Sequence, residues 1–299
     1  MRVGHSSTPA IAGPRANAAP EEVHSTTPEA SQLRRSLEGA GFVAVWIALG
    51  YLFNVEGDSL TYLLLGAPLT VAFQLAVRRR PLRDLWVRDG IRFALDRRGV
   101  LLAAALMIAP GFYAFRLLAA GNEEEALPYL VAMAGAVAAA YALRETTLVK
   151  TFRSALPSLV VGALVVTVVV GIARVLSAAP MEPFEMGTTV LVNIALIFPV
   201  GFVLEEVAFR GALDAHVASP GESRNWLTAI YTSGLWGLWH LPTDDTGLSL
   251  IAVIPFLLIV HCTIGVPLAF AWRRTGNLSG PALGHAFVDA LRNGLSVGL

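Results

Sequence analysis

The apolar positions of this chain come in long unbroken runs. From residue 38 to the end, stretches of roughly 17–25 residues, the length a helix needs to cross a bilayer, alternate with short polar connections. They predict helices at 38–55, 59–77, 99–119, 128–143, 155–177, 188–209, 225–241, 249–272 and 278–297, the last amphipathic and broken by "SGP" at its start. The expected fold class is therefore all-α, a polytopic transmembrane helix bundle of eight or nine spans, with a polar site between its C-terminal spans. Residues 1–36 are rich in Pro, Ala, Ser and Thr and lack helical periodicity, so they read as a disordered tail. No apolar stretch of signal-peptide type follows the N-terminal charge. Three regions result: the tail (1–36), N-terminal helices with an interfacial segment (37–154), and a helix bundle that holds the polar positions (155–299).

Composition agrees with that pattern. Hydrophobic residues make up 55% of the 299, charged residues 15%, and the mean hydropathy is +0.61. The net charge is zero, so no global basic field argues for nucleic acid. Cys262 is alone, which excludes a disulfide framework and a thiolate metal site. Charge along the loops is more informative than its sum. Arg34 and Arg35, Arg78 to Arg80 with Arg83, Arg144 with Lys150 and Arg153, Arg224, and Arg273 with Arg274 fall on one side of the membrane. Glu56 and Asp58, Glu123 to Glu125, Glu182 with Glu185, and Asp244 with Asp245 fall on the other. The positive-inside rule then puts the N-terminus and the basic loops in the cytoplasm, as expected for a multi-pass protein of a cell membrane. "PLRDLWVRDGIRFALDRRG" (81–99) is basic and amphipathic and is expected along the cytoplasmic interface. No internal repeat supports an inverted-repeat transporter.

An ionisable residue inside a span costs roughly 2.5–3.5 kcal/mol on insertion scales, so each one needs a reason. Arg116 and Arg174 lie near helix ends and are expected to snorkel. The others follow residue 200: Glu205, Glu206, Arg210, His240, His261, His285, Asp289 and Arg292. Glu206 and Arg210, four apart, can pair on one helix face, while Glu205 is turned about 100° away. His285 and Asp289 are also four apart, and His240 precedes Leu241-Pro242, where its helix must end. The plain alternative is a structural clasp at Glu206 and Arg210 with packing histidines around it. His261, with no companion at helical spacing, is read as one of those. Carboxylates near imidazoles on three helices fit activation of water, with a glutamate as base. There is no H-E-x-x-H, only Asp289 could serve an aspartyl dyad, and Ser233 stands about 10 Å along its helix from His240, too far for a hydrogen bond. One difficulty is depth: if the seventh span starts near Asn225, His240 lies about 20 Å in, deeper than Glu205 and His285.

"EEVAFRG" (Glu205, Glu206, Arg210), "WGLWH" ending in His240, and "HAFVD" (His285, Asp289) resemble the three motifs of the CPBP family, the CAAX-protease and bacteriocin-processing membrane proteins also called Abi. The resemblance covers roughly 155–297. It implies a glutamate-dependent intramembrane endopeptidase of a bacterial membrane, open to the cytoplasm, whose partner is a membrane-associated peptide or protein. By that likeness Glu205 is the base, His240 holds the attacking water, His285 and Asp289 stabilise the oxyanion, and Glu206 with Arg210 shape the site. Two residues depart from the pattern. Trp236 stands where Phe is common and is expected to change the pocket rather than the chemistry. Asp289 replaces the commoner Asn, and a charged carboxylate stabilises an oxyanion poorly unless protonated or metal-bound. That leaves zinc open as a cofactor, with His240, His285 and a carboxylate as its three ligands. A non-catalytic relative acting in immunity or as a scaffold, and a proton-coupled transporter, are the competing readings.

Overall fold

A computed structural model describes residues 32–55, 59–90, 93–178, 180, 182–218, 224–244 and 246–299. Among these the chain forms nine principal helices and no strand. They are α1 (Gln32–Leu52), α2 (Ser59–Ala72, extended by a π turn to Val77), α3 (Arg97–Ala119), α4 (Glu123–Arg144), α5 (Leu148–Ser177), α6 (Pro183–Gly201, continuing to Val217), α7 (Trp226–Trp239), α8 (Leu250–Thr275) and α9 (Ser279–Leu295). Each predicted span falls on one of them. Among the described residues α3, α4, α5, α6 with its continuation, and α8 are long and apolar enough to cross a membrane, which fits a multi-pass membrane protein.

α5 shows how sequence spacing becomes packing. Val160, Leu164, Val168 and Ile172 repeat every four residues and are all more than half exposed, as side chains facing lipid are. The opposite stripe, Ala155, Ser158, Gly162 and Val166, is buried against α9. Small residues here let two backbones approach, the usual solution where lipid removes the hydrophobic drive for helices to associate. α9 is the least apolar helix because it faces protein: it packs between α5 and α6, and most of its residues are buried.

Several expectations change. The tail was expected to run to residue 36, but α1 begins at Gln32. Gln32 Nε2 donates to the Val217 carbonyl (2.8 Å), and the Tyr231 hydroxyl donates to that of Ser36 (2.7 Å). The rest of the expected tail, 1–31, lies outside the described residues, as do Glu56, Asp58 and Asp245. α6 does not end at 209. It runs on to Val217 with a π-helical stretch at Phe202–Asp214, so the two glutamates lie mid-helix. That winding begins three residues after Pro199, which has no N–H to give the helix. The described part of segment 81–99 is irregular up to the start of α3 at Arg97. It forms a 3-10 turn at Leu82–Leu85 and an isolated bridge from Val87 to Asn277. Leu85 packs so closely on Gly211 that a Cβ there would strike its carbonyl oxygen.

Two arginines also sit elsewhere than expected. Arg174 does not snorkel. It is buried and donates to the carbonyls of Pro180 (2.6 Å), Leu295 (2.7 Å) and Val297, tying down the end of α9. Arg273 is no free loop charge. Its Nε and Nη2 bind both oxygens of Asp214 (2.9 and 2.6 Å), its Nη1 donates to the Asn225 carbonyl (2.8 Å), and Thr232 Oγ1 donates to Asp214 (3.0 Å). This knot joins the end of α6 to α7 and α8. Removing one partner of a buried pair costs about 3–5 kcal/mol because the other charge is stranded, whereas apolar replacement of both is often neutral. Asp214→Ala should therefore lower the thermal unfolding midpoint in detergent sharply, and Asp214→Leu with Arg273→Met should recover most of the loss.

Candidate active site

α6, α7, α8 and α9 each send polar side chains into one interior region. Glu206 is fully buried and doubly engaged. Its Oε1 accepts from His285 Nδ1 (2.9 Å) and lies 3.3 Å from Arg210 Nη1, the predicted ion pair. The adjacent Glu205 is held loosely: its side chain is 15% exposed, its Oε2 lies 3.7 Å from His285 Nε2, and Trp236 Nε1 donates to it at 3.4 Å. Asp289 is 21% exposed, with Oδ2 3.3 Å from the same His285 Nε2 and Oδ1 3.7 Å from Arg292 Nη1. One imidazole thus meets three carboxylates, with Glu206 on Nδ1 and Asp289 and Glu205 on Nε2.

The Arg210 guanidinium has a second neighbour besides Glu206. It lies 4.2 Å from the centre of the Trp236 indole, a cation–π contact that suits a desolvated arginine. Gly265 of α8 makes room, since a Cβ there would stand 2.6 Å from Ser233 Oγ and 3.3 Å from Arg210 Nη2. Arg210 Nη1 and Nη2 and Glu206 Oε2 are buried without hydrogen bonds among the described residues.

His240 is in a separate group. No nitrogen of it comes within 4.0 Å of Glu205, Glu206 or Asp289. It caps α7 with Nδ1–H donated to the Trp236 carbonyl (2.9 Å), and its ring lies 4.2 Å from that of His261. His261 makes the same bond one helix away, from Nδ1 to the Leu257 carbonyl (2.8 Å). With the proton on Nδ1, both rings present Nε2 as the acceptor. Trp236 stands between the two groups. Its ring meets those of His285 (5.0 Å), His261 (4.8 Å) and His240 (5.9 Å), each edge on. The depth offset read from the sequence is thus taken up within α7: Trp236 reaches Glu205, and His240 lies one turn beyond.

Two residues were undervalued in the sequence. His261 belongs to the constellation, and the signal available was its place on the span that follows His240. Trp236 does more than fill space, because its N–H reaches a carboxylate that Phe could not address. As a zinc set, His240, His285 and a carboxylate do not fit. Both nitrogens of His285 face carboxylates, and no group of three His, Cys, Asp or Glu side chains among the described residues converges as metal ligands must.

Four helices bringing glutamates and histidines to a buried site define a class, that of intramembrane helix bundles with a carboxylate–imidazole centre. Residues 187–291 match the family model of Rce1-like type II CAAX prenyl endopeptidases, so the chain carries a domain of the CPBP family, in keeping with its three motifs. The match spans α6 through most of α9 and leaves out α1 to α5. No curated protein and no solved structure matches the chain.

The two glutamates differ in stability terms. Glu206→Ala strands Arg210 in a buried position, whereas Glu205→Ala removes a partly exposed carboxylate with longer contacts. Thermal unfolding in detergent should show the larger fall for Glu206→Ala, by about 3–5 kcal/mol, and a change under about 1.5 kcal/mol for Glu205→Ala.

Proposed function

We propose that this protein is a glutamate-dependent intramembrane endopeptidase that hydrolyses a peptide bond of a membrane-associated peptide or protein. One observation carries the reading: of two adjacent glutamates in a peptidase-family domain, Glu206 is locked to Arg210 and His285, while Glu205 keeps a carboxylate with only long contacts and some exposure. A base must be able to accept and release a proton, and a carboxylate held by a short ion pair is poorly placed to do so.

In the reaction, Glu205 removes a proton from water as the oxygen attacks the peptide carbonyl carbon. The water's other O–H donates a hydrogen bond to His240 Nε2 and stays on the attacking oxygen; the Nδ1 bond of His240 aims that Nε2 away from its own helix. His285 stands next to the oxyanion and, with Nε2 protonated, donates to it. Glu206, bonded to Nδ1, orients the ring, and Asp289, 3.3 Å from Nε2, offsets the charge of the doubly protonated imidazole, a role that suits an acidic group better than direct contact with the oxyanion. When the tetrahedral species collapses, the proton on Glu205 passes to the amine nitrogen as the C–N bond breaks, leaving a carboxylic acid and an amine. Glu206, Arg210 and Trp236 position these groups. No step needs a metal. The site opens to the cytoplasm, with the N-terminus on the same side, a reading supported by the family likeness and by the basic loops of the sequence.

Cleavage of a membrane-tethered peptide library by the purified chain in liposomes tests the proposal. Glu205→Gln should lower the rate by about 10²–10⁴-fold, the usual worth of general base catalysis, with the protein still folded. Undiminished processing would sink the reading and favour a non-catalytic role. Trp236→Phe, which keeps the ring and loses the N–H, should cost about tenfold, close to the worth of one hydrogen bond. Treatment with 1,10-phenanthroline should leave the rate unchanged.

A further inference from the structure

Away from this site a cavity of about 410 Å³ opens where the 82–90 segment, the start of α5 and the α8–α9 turn meet. Its charged lining is Arg88, Asp89, Glu145 and Lys150. Glu145 is paired with Arg144. Among the described residues neither Arg88 nor Lys150 has a carboxylate within 4.0 Å, and Asp89 has no cation within that distance. With Glu145 set against Arg144, two cations and one carboxylate of the lining have no opposite charge within 4.0 Å among the described residues, and Arg88 Nη1 donates only to the Arg273 carbonyl (3.5 Å). Arg88 is pre-oriented, its guanidinium 5.2 Å from the centre of the Trp272 ring and its main-chain N–H donated to the Gly276 carbonyl (2.7 Å). Outside the cavity, on the same first turns of α5, Leu148, Val149, Phe152 and Leu156 are 64, 77, 55 and 46% exposed. A polar chamber whose lining is left one positive charge in excess once Glu145 is neutralised by Arg144 thus adjoins an apolar strip facing the lipid.

We propose that this cavity binds the headgroup of an anionic phospholipid bearing hydroxyls, of the phosphatidylglycerol class. The phosphodiester lies between Arg88 and Lys150, a headgroup hydroxyl donates to Asp89, and the acyl chains run along the exposed strip of α5. A phosphodiester carries a single negative charge, which matches the unpaired charge of the lining, and basic pockets between membrane helices are known takers of such headgroups. The inference is independent of the peptidase reading, since the cavity contains none of the motif residues.

The test is thermal unfolding of the full chain in a neutral detergent, titrated with dihexanoyl-phosphatidylglycerol, dihexanoyl-phosphatidylcholine or inorganic phosphate. The phosphatidylglycerol should raise the midpoint by about 3–8 °C at saturation, and the other two should not. Lys150→Gln, on an exposed side chain, and Arg88→Gln, made separately, should each shift the titration about fivefold to higher lipid. An equal rise with inorganic phosphate would make the site one for a free anion and overturn the lipid as its occupant. An equal rise with phosphatidylcholine, or an unchanged titration in Lys150→Gln, would overturn the proposal altogether.

Discussion

A carboxylate with no solvent exposure, in a helix surrounded by apolar side chains, is the constraint that organises this molecule. Glu206 stays there only because Arg210 and His285 meet it, and each brings requirements of its own. His285 fixes α9 against α6, which is why a helix of modest hydropathy is enclosed by protein. Arg210 needs a surface that tolerates a cation without water. The face of Trp236 provides it from α7, and Gly265 leaves the room on α8. One buried charge thus sets the relation of four helices, and the candidate site is what those helices enclose.

The domain that carries the motifs is not held up by its own residues alone. Trp46 of α1 stacks on Phe209 in the π-helical part of α6 (5.8 Å, 9°) and meets Trp239 of α7 edge on (5.1 Å). Tyr62 of α2 stacks on Trp239 (4.8 Å) and donates its hydroxyl to the carbonyl of the same residue (2.8 Å). These aromatic rings form the wall behind Trp236. The helices outside the matched region therefore buttress the residues inside it, and a large buried aromatic there is worth about 3–5 kcal/mol.

Much of this was legible beforehand, for reasons that differ by residue. Each predicted span coincides with a helix because bilayer thickness sets a length that apolar runs must meet. The Glu206–Arg210 pair and the His285–Asp289 contact were readable because both depend on one helix period. What was not readable depends on which helices become neighbours. Arg273 looked like a free loop charge until α8 was seen beside Asp214. Arg174 looked like a snorkelling end residue until the C-terminus of α9 was found next to it. His261 had no partner at helical spacing because its partners, His240 and Trp236, are on α7. Local periodicity carries no information about such pairings.

The π winding of α6 favours an arrangement that α-helical geometry makes harder. In an α-helix, neighbouring residues point about 100° apart, and two adjacent glutamates would face different surroundings. Hydrogen bonds from i to i+5 put more residues in each turn, so neighbours diverge less. Over Phe202–Asp214 this wider turn lets Glu205 and Glu206 flank a single imidazole, one carboxylate facing Nε2 and the other bonded to Nδ1. π-helical turns are uncommon and recur at functional sites. Here the irregularity brings two carboxylates to the same ring, one held in place and the other left with only long contacts.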